Sequence, residues 1–512
     1  MRVPSAAPGA RDPVLPPGEP PRSPDARLLW ALVGLALLTR LITLPPIDAG
    51  GDALLKWYQA KILLGLVPGE WVWSHHTARF GIMLPILGVQ AAFGTHPALY
   101  YVPALAMSLV QTGLAFQIGN RLQGPALGTA IALFLIAFEP MRMSATQLLP
   151  GIFSSSYVLV SLSALLAYRD RAEPDRRARL YLALSAVALF AAYTTKLSNA
   201  FFVPGFYVAA GLWRKSPRDV VLYAGIVTAL VACEIGAYAA WTEYPLGRIS
   251  MVLGAHSPMG PLDSVWGLFR RYAELPWEWG TLVVVHALGS ALLIGRALRT
   301  GLDDRALGVL AIPLSFLCGL TFSVRSLDPL LPSQAFNARY LTAAAPLLAL
   351  VAGLGVVRSV PGSAFPRRVA AAVAAALVTG VLGWQTYRGF PGLENHPLEL
   401  LDRYRHSAAE FEAGTPVVSI DPRGLGVESW LMLFWDGPPL PVLLQREASG
   451  GFWYASSEPG LPLQTGRVLH ADVRRRSESD SYEFQLTRGQ VKILGGSQDP
   501  PSPATSRARG GS

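Results

Sequence analysis

The chain has 512 residues, of which 51% are hydrophobic and only 15% charged, with a mean hydropathy of +0.34. Soluble domains carry about 25% charged residues, so the composition excludes an ordinary soluble enzyme and points to a polytopic membrane protein. The net charge of +9 is no signature of nucleic-acid binding, because the arginines sit in short segments between apolar runs and read as topology.

Residues 1–27 are proline-rich, lack the apolar core of a signal peptide and read as a disordered cytoplasmic tail. Apolar spans are predicted near 28–44, 98–118, 124–138, 152–168, 180–195, 198–213, 219–241, 277–296, 306–323, 338–357 and 368–386. Two pieces after the first span read as interfacial helices: "ALLKWYQAKILLGL" (53–66), with Trp57 and Tyr58 as headgroup anchors, and "FGIMLPILGVQAAFG" (80–94). With the second piece kept out of the span count, the arginine-rich segments 169–179, 214–218, 296–305 and 358–368 share the cytoplasmic side with the tail. Loops 45–97, 139–151, 242–276 and 324–337 then face outward. Cys233 and Cys318, both inside apolar runs, read as small buried thiols. From 387 the composition changes. A helix-like "HPLELLDRYRHSAAEFEAG" is followed by strand-like "TPVVSID", "RVLHADV" and "YEFQLTRGQVKIL". The predicted fold is therefore an all-α polytopic membrane protein of about eleven transmembrane helices with two interfacial helices after the first span. A small extracytoplasmic α/β domain over 387–495 and a disordered tail over 496–512 complete it.

The first outer loop concentrates unusual chemistry: "DAGGDALLKWYQAKILLGLVPGEWVWSHHTARFG". Asp48 and Asp52 are four apart, on one face if the backbone is helical, although Gly50 and Gly51 favour a turn. Asp52 also suits the N-cap of the following helix. A carboxylate in an apolar membrane-surface pocket gains basicity, and can take a proton from a hydroxyl or hold a divalent cation. His75, His76 and Arg79 offer hydrogen bonds to sugar or phosphate. Adjacent histidines diverge on a helix, which disfavours a metal site built from that pair alone. Lys196 in "YTTKLSNAFFVP" and Arg339-Tyr340 in "NARYLTAAAPLLAL" stand at outer helix ends. Fixed cations there stabilise the charge that grows on a departing phosphate, or snorkel at a helix end. Glu139 is the nearest acid in the second outer loop, and Glu234 is an intramembrane carboxylate, a site candidate by its position.

These features together resemble the GT-C glycosyltransferases, in the bacterial branch of protein O-mannosyltransferase-like and lipid A aminoarabinose transferase-like enzymes. The segments carrying the likeness are "GDALLKWYQAKILLG", "FGIMLPILGVQAAFG", the "TK" at Lys196 and the "RY" at Arg339-Tyr340, within residues 28 to 360. The resemblance implies inverting transfer of a sugar from a polyprenyl-phosphate donor to a hydroxyl of a protein, lipid or glycan acceptor. It places the reaction at the outer face of a bacterial inner membrane. It makes Asp52 the catalytic acid of the first loop, Tyr58 the aromatic shortly after it, and Lys196, Arg339 and Tyr340 substrate contacts; Asp48, His75, His76, Arg79 and Glu139 join them as candidate substrate contacts by their own chemistry and position. A divalent cation is compatible with this reading, and no other cofactor is implied. Relatives often carry an acid where "SATQLLPGIFSSSY" has Gly151, which sets a two-carboxylate metal site apart from the rest of the pattern. The competing readings are a transporter or lipid flippase, and an inactive GT-C-like scaffold. Transporters concentrate charges at the bilayer midplane and show repeats; here the polar groups gather in outer loops.

Overall fold

The structure is a computed structural model. It describes residues 26–45, 52–67, 71–171, 175–255, 264–300, 303–327, 330–332 and 338–359, single residues 47, 69, 173, 262 and 380, and five strands beyond 416. Its first half runs through α1 (Ala26–Ile42), α2 (Asp52–Leu63), α3 (Phe80–Phe93), α4 (Val102–Gln123), α5 (Pro125–Ala137), α6 (Glu139–Ser144), α7 (Pro150–Arg169) and α8 (Arg176–Thr195). Then come α9 (Val203–Leu212), α10 (Pro217–Trp241), α11 (Arg248–Ala255), α12 (Trp266–Ala273), α13 (Trp277–Thr300), α14 (Asp304–Phe322), α15 (Ala338–Leu341) and α16 (Ala345–Ser359).

Local chemistry sets the boundaries. Proline stands in the first turn of α4, α5, α7, α9 and α10, where its missing N–H costs nothing. Asp175 caps α8 by accepting from the Ala178 N–H, and Ser216 and Asp219 form a reciprocal capping box on α10. Two predicted spans are divided for the same reason. Pro204 and Pro346 each restart a helix, so 198–213 becomes a 3-10 turn (Leu197–Phe202) plus α9, and 338–357 becomes α15 plus α16.

Among the described residues six helices are long and apolar enough to cross a membrane: Pro97–Gln123, Pro150–Arg169, Arg176–Thr195, Pro217–Trp241, Trp277–Arg299 and Asp304–Phe322. Apolar helices Phe80–Phe93, Pro125–Ala137, Leu197–Leu212 and Ala345–Arg358 are shorter. The chain is a multi-pass membrane protein. The predicted span 368–386 and the helices predicted beyond 387 lie outside the described residues. Beyond 416 the described strands β3 (Val417–Ser419), β4 (Val442–Leu444), β5 (Gly451–Ser456), β6 (Gly466–Ala471) and β7 (Phe484–Gln490) form a mixed sheet in the order β4-β3-β5-β7-β6. A hairpin of β1 (Val324–Leu327) and β2 (Leu330–Pro332) follows α14.

The bundle is joined by hydroxyl and amide bonds between helices, the usual glue where no hydrophobic force separates helix from lipid. Gln111 Nε2 donates to Ser155 Oγ at 2.6 Å, Ser156 Oγ to the Met107 carbonyl at 2.8 Å, and Ser161 Oγ to the Ser185 carbonyl at 2.9 Å. Buried Arg40 ties α1 to α4 and α5 through Ser108 Oγ (2.5 Å) and the Leu135 carbonyl (3.3 Å). The arginine-rich turns gather at one end of the bundle. There Arg305 pairs with Asp170 at 2.7 Å, Arg358 pairs with Asp303, and Arg358 Nε donates to Gln123 Oε1 at 3.3 Å. The C-terminal end of α8 and the N-terminal end of α7 stand at the opposite end.

Two expectations about exposure are corrected. Trp57 is fully buried, edge-on to Tyr100 with ring centroids 6.0 Å apart, because α2 packs against α3 and turns Trp57 into the core. It is no headgroup anchor. Cys233 and Cys318 are exposed, since the faces of α10 and α14 that carry them point away from the bundle.

Candidate active site beside Asp52

Asp52 is the first described residue of α2, so its carboxylate stands in the helix's first turn, at the positive end of the helix dipole. The loop before α3 returns to meet it. Gln59 on α2 accepts from the Val72 N–H at 2.9 Å, and Thr77 Oγ1 donates to the Val72 carbonyl at 2.5 Å. Ser74 N–H donates to Thr77 Oγ1 at 2.9 Å, and the His76 N–H donates to Ser74 Oγ at 3.3 Å. This tight turn, not a helix, presents His76 with Nδ1 3.0 Å from Asp52 Oδ2. It also overturns the expectation that His75 and His76 diverge: their ring centroids are 3.7 Å apart.

Two close approaches bring distant cations to the same place. Gly81 lies so near α8 that a Cβ there would stand 2.6 Å from the Ala191 carbonyl and 2.5 Å from Thr195 Cγ2. That contact seats Arg79, at the start of α3, beside Lys196 at the end of α8. Gly151 does the same on α7, where a Cβ would stand 2.6 Å from Thr342 Cγ2, and this draws the Arg339-Tyr340 turn inward. The Lys196 ammonium rests 3.3 Å from the centre of the Tyr340 ring, a cation–π contact. The end of α8 is held from two sides. Asn199 Nδ2 donates to the Ala192 carbonyl (2.7 Å) and to Ser154 Oγ (2.7 Å). Arg248 donates to the carbonyls of Thr194 (2.9 Å) and Tyr193 (3.0 Å), and pairs with Glu234 at 2.7 Å.

The charges act on one another as a group. Burial pushes the Asp52 carboxyl up, but the bond and charge of His76, with Lys56 and Arg79, outweigh it and hold the group at about 2. The expected gain in basicity is thus reversed, because the pocket is cationic as well as apolar. Lys56, one helical turn after Asp52, is buried, and desolvation with the Arg79 charge lowers its ammonium to about 7. Lys196 is lowered to about 7 by burial, then by Arg79 and Arg339. Burial lowers Arg79, Asp52 opposes that, and Arg248 adds to it. Tyr340 is raised by burial against the pull of Arg79 and Arg339. Among the described residues, the Asp52 carboxylate is set among Lys56, Arg79, Lys196 and Arg339, which is the electrostatic shape of an anion receptor.

Of the residues predicted from sequence, the structure brings together Asp52, His75, His76, Arg79, Lys196, Arg339 and Tyr340. Lys56 and Arg248 join them unforeseen. Among the described interactions none links Tyr58, which is half-buried on α2, to this cluster. Glu139 Oε1 instead meets Arg142 Nη2 at 3.4 Å. Asp48 lies outside the described residues.

A divalent cation needs several donors converging with free lone pairs. Among the described residues no three of His, Cys, Asp and Glu converge so, and Asp52 is engaged by His76 and ringed by Lys56 and Arg79. An acid in place of Gly151 would collide with Thr342. The described residues do not fit a metal ion here.

No known protein-family pattern and no curated protein matches the sequence. Solved structures do. The crystal structure of ArnT from Cupriavidus metallidurans bound to undecaprenyl phosphate superposes over 92% of this chain and 99% of that chain, with TM-score 0.54 at 14% identity. The fold is of the GT-C type. The oligosaccharyltransferase of Archaeoglobus fulgidus, in complex with Zn and sulfate, matches at TM-score 0.45 and 13% identity, over 81% of this chain and 62% of that chain. The AglB structure from the same organism, with an inhibitory peptide and a dolichol-phosphate, matches at TM-score 0.44 and 12% identity, over 80% and 64%. Within the GT-C fold, the Asp52 cluster falls where α2, the loop before α3, the end of α8 and α15 meet.

Proposed function

We propose that the protein transfers a sugar from a polyprenyl-phosphate carrier to a hydroxyl acceptor, with inversion at the anomeric carbon. The single observation that supports this reading is the juxtaposition of Asp52 and His76 with Lys56, Arg79, Lys196 and Arg339 on a fold like that of ArnT, which was crystallised with undecaprenyl phosphate. The chemistry follows from the charges. The acceptor oxygen attacks the anomeric carbon as the bond to the phosphate oxygen breaks. The hydroxyl proton passes to the Asp52–His76 pair. The electron pair leaves on the phosphate, whose growing charge Arg79, Lys196 and Arg339 receive. The cationic site sits at the end of the bundle opposite the arginine-rich turns. That supports placing it at the outer face of the inner membrane, with the N-terminus cytoplasmic and residues 387–495 on the acceptor side. Confinement of both substrates to one surface supplies much of the acceleration.

The test is transfer of radiolabelled sugar by protein reconstituted in lipid with polyprenyl-phosphate donors and hydroxyl acceptors. Wild type is expected to transfer, and Asp52→Asn to lose at least about 100-fold in rate. Equal transfer by both removes Asp52 from the chemistry. Carrier movement across the bilayer without sugar transfer makes the protein a flippase.

A further inference from the structure

A hydroxyl attacking a sugar must lose its proton to a group close to neutrality in strength, accessible to the acceptor and correctly oriented. Resting on the sugar-transfer reading, we propose that His76 is the catalytic base: its Nε2 takes the acceptor proton, while Asp52 acts through the ring as a positioning residue.

Four observations carry the assignment. Asp52 Oδ2 stands 3.0 Å from Nδ1, so an ionised carboxylate keeps the ring proton on Nδ1 and leaves the Nε2 lone pair pointing away. Nδ1 is buried, so the approach of the Asp52 carboxylate to it is shielded from water. The side chain nonetheless keeps 21% of its surface, none of it at Nδ1. The ring is fixed by construction, because the 72–77 turn is pinned to α2 through Gln59 and closed by Ser74 and Thr77, and the His75 ring covers one face. The groups facing the pair are Lys56 from the same helix as Asp52, Arg79 from the start of α3, and His75. Against the upward push of burial, His76 itself, then Lys56 and Arg79, hold Asp52 ionised at about 2, too weak a base to strip a hydroxyl but a lasting counter-ion for an imidazolium.

The step balances. The acceptor O–H bond breaks and its proton binds Nε2, the oxygen–carbon bond forms, and the carbon–oxygen bond to phosphate breaks with its electron pair on the departing phosphate. The imidazolium, still paired with Asp52, then returns its proton to water.

The experiment uses the full chain in lipid, following sugar transfer from a polyprenyl-phosphate donor across pH 5 to 9. His76→Asn keeps a donor toward Asp52 and removes Nε2. It is expected to lose at least about 100-fold in kcat with donor KM changed by less than about threefold, and to lose the acidic limb of the pH profile. His76→Gly is expected to regain activity with added imidazole, whereas Asp52→Asn, which keeps its own imidazole, is not. Retention of the wild-type rate and acidic limb by His76→Asn overturns the assignment. If His76→Asn does not fold, imidazole decides on the folded fraction of His76→Gly: restored transfer supports the base, and none overturns it. Failure of the wild type with every donor sinks the sugar-transfer reading, and this inference with it. Failure confined to the His76 criteria leaves that reading standing with Asp52 alone.

Discussion

Lys196 shows what a single side chain can do at a membrane surface. Its ammonium is desolvated, flanked by Arg79 and Arg339 and laid on the Tyr340 ring, so it gives up its proton near 7 instead of near 10.5. A lysine with a lowered value is charged below that point and neutral above it. Donor affinity is therefore expected to be highest below pH 7 and to weaken by up to about tenfold per pH unit above it, read as donor KM, with Lys56 adding in the same direction. Lys196→Met is expected to flatten part of this dependence and to cost about 100-fold in transfer. Asp52 has the opposite sign. Its depressed value adds stability that is present above about pH 4 and fades as pH falls toward 2, a small effect because the side chain keeps 48% of its surface. Thermal melts of Asp52→Asn should lack that acid-side slope. Asp52, Lys196 and Arg339 were legible because charges are rare in so apolar a chain. Lys56 was not, since a lysine on an amphipathic helix ordinarily faces water.

Elements meet at this site through glycine and through one ion pair. Gly81→Ala must push α3 away from Ala191 and Thr195, so it is expected to destabilise by about 1–3 kcal/mol in thermal unfolding. Transfer should fall further than stability explains, because Arg79 moves with α3. The Arg248–Glu234 pair closes the end of α8 from α10 and α11. Glu234→Ala leaves a buried guanidinium uncompensated and is expected to cost about 3–5 kcal/mol. Replacing both by apolar residues should restore stability in a melt yet leave transfer low, because the carbonyls beside Lys196 lose their donor. Glu234 announced itself in sequence as an acid inside a span; Arg248 did not, because it opens the short helix α11 within the predicted loop 242–276, whose return path only packing reveals. The split of 338–357 at Pro346 was missed because hydropathy runs continuously through it.

At the scale of the whole molecule the arginine-rich turns and the Asp52 cluster stand at opposite ends. Single cysteines placed at exposed Val72 and Glu173, in a chain with Cys233→Ala and Cys318→Ala, should report the two sides. An impermeant thiol reagent on intact cells is expected to label Val72→Cys and to reach Glu173→Cys only after permeabilisation. The reverse pattern would turn the protein over and end the outer-face assignment. In the unsubstituted chain Cys233 and Cys318, exposed on α10 and α14, should favour a lipid-soluble reagent over a charged one.

Composition and hydropathy alone determined that this is a multi-pass membrane chain, that its arginine-rich turns share one end of the bundle, and that the segment between α1 and α3 gathers Asp52, His75, His76 and Arg79. Those properties are additive along the chain: each span or turn declares itself by its own residues. Only the tertiary structure decided that His76 lies against Asp52, that Gly151 stands where an acid cannot, and that Trp57 and the two cysteines exchange their expected surroundings. Such facts depend on which face a helix turns and how closely two backbones approach, and neither is carried by any one segment.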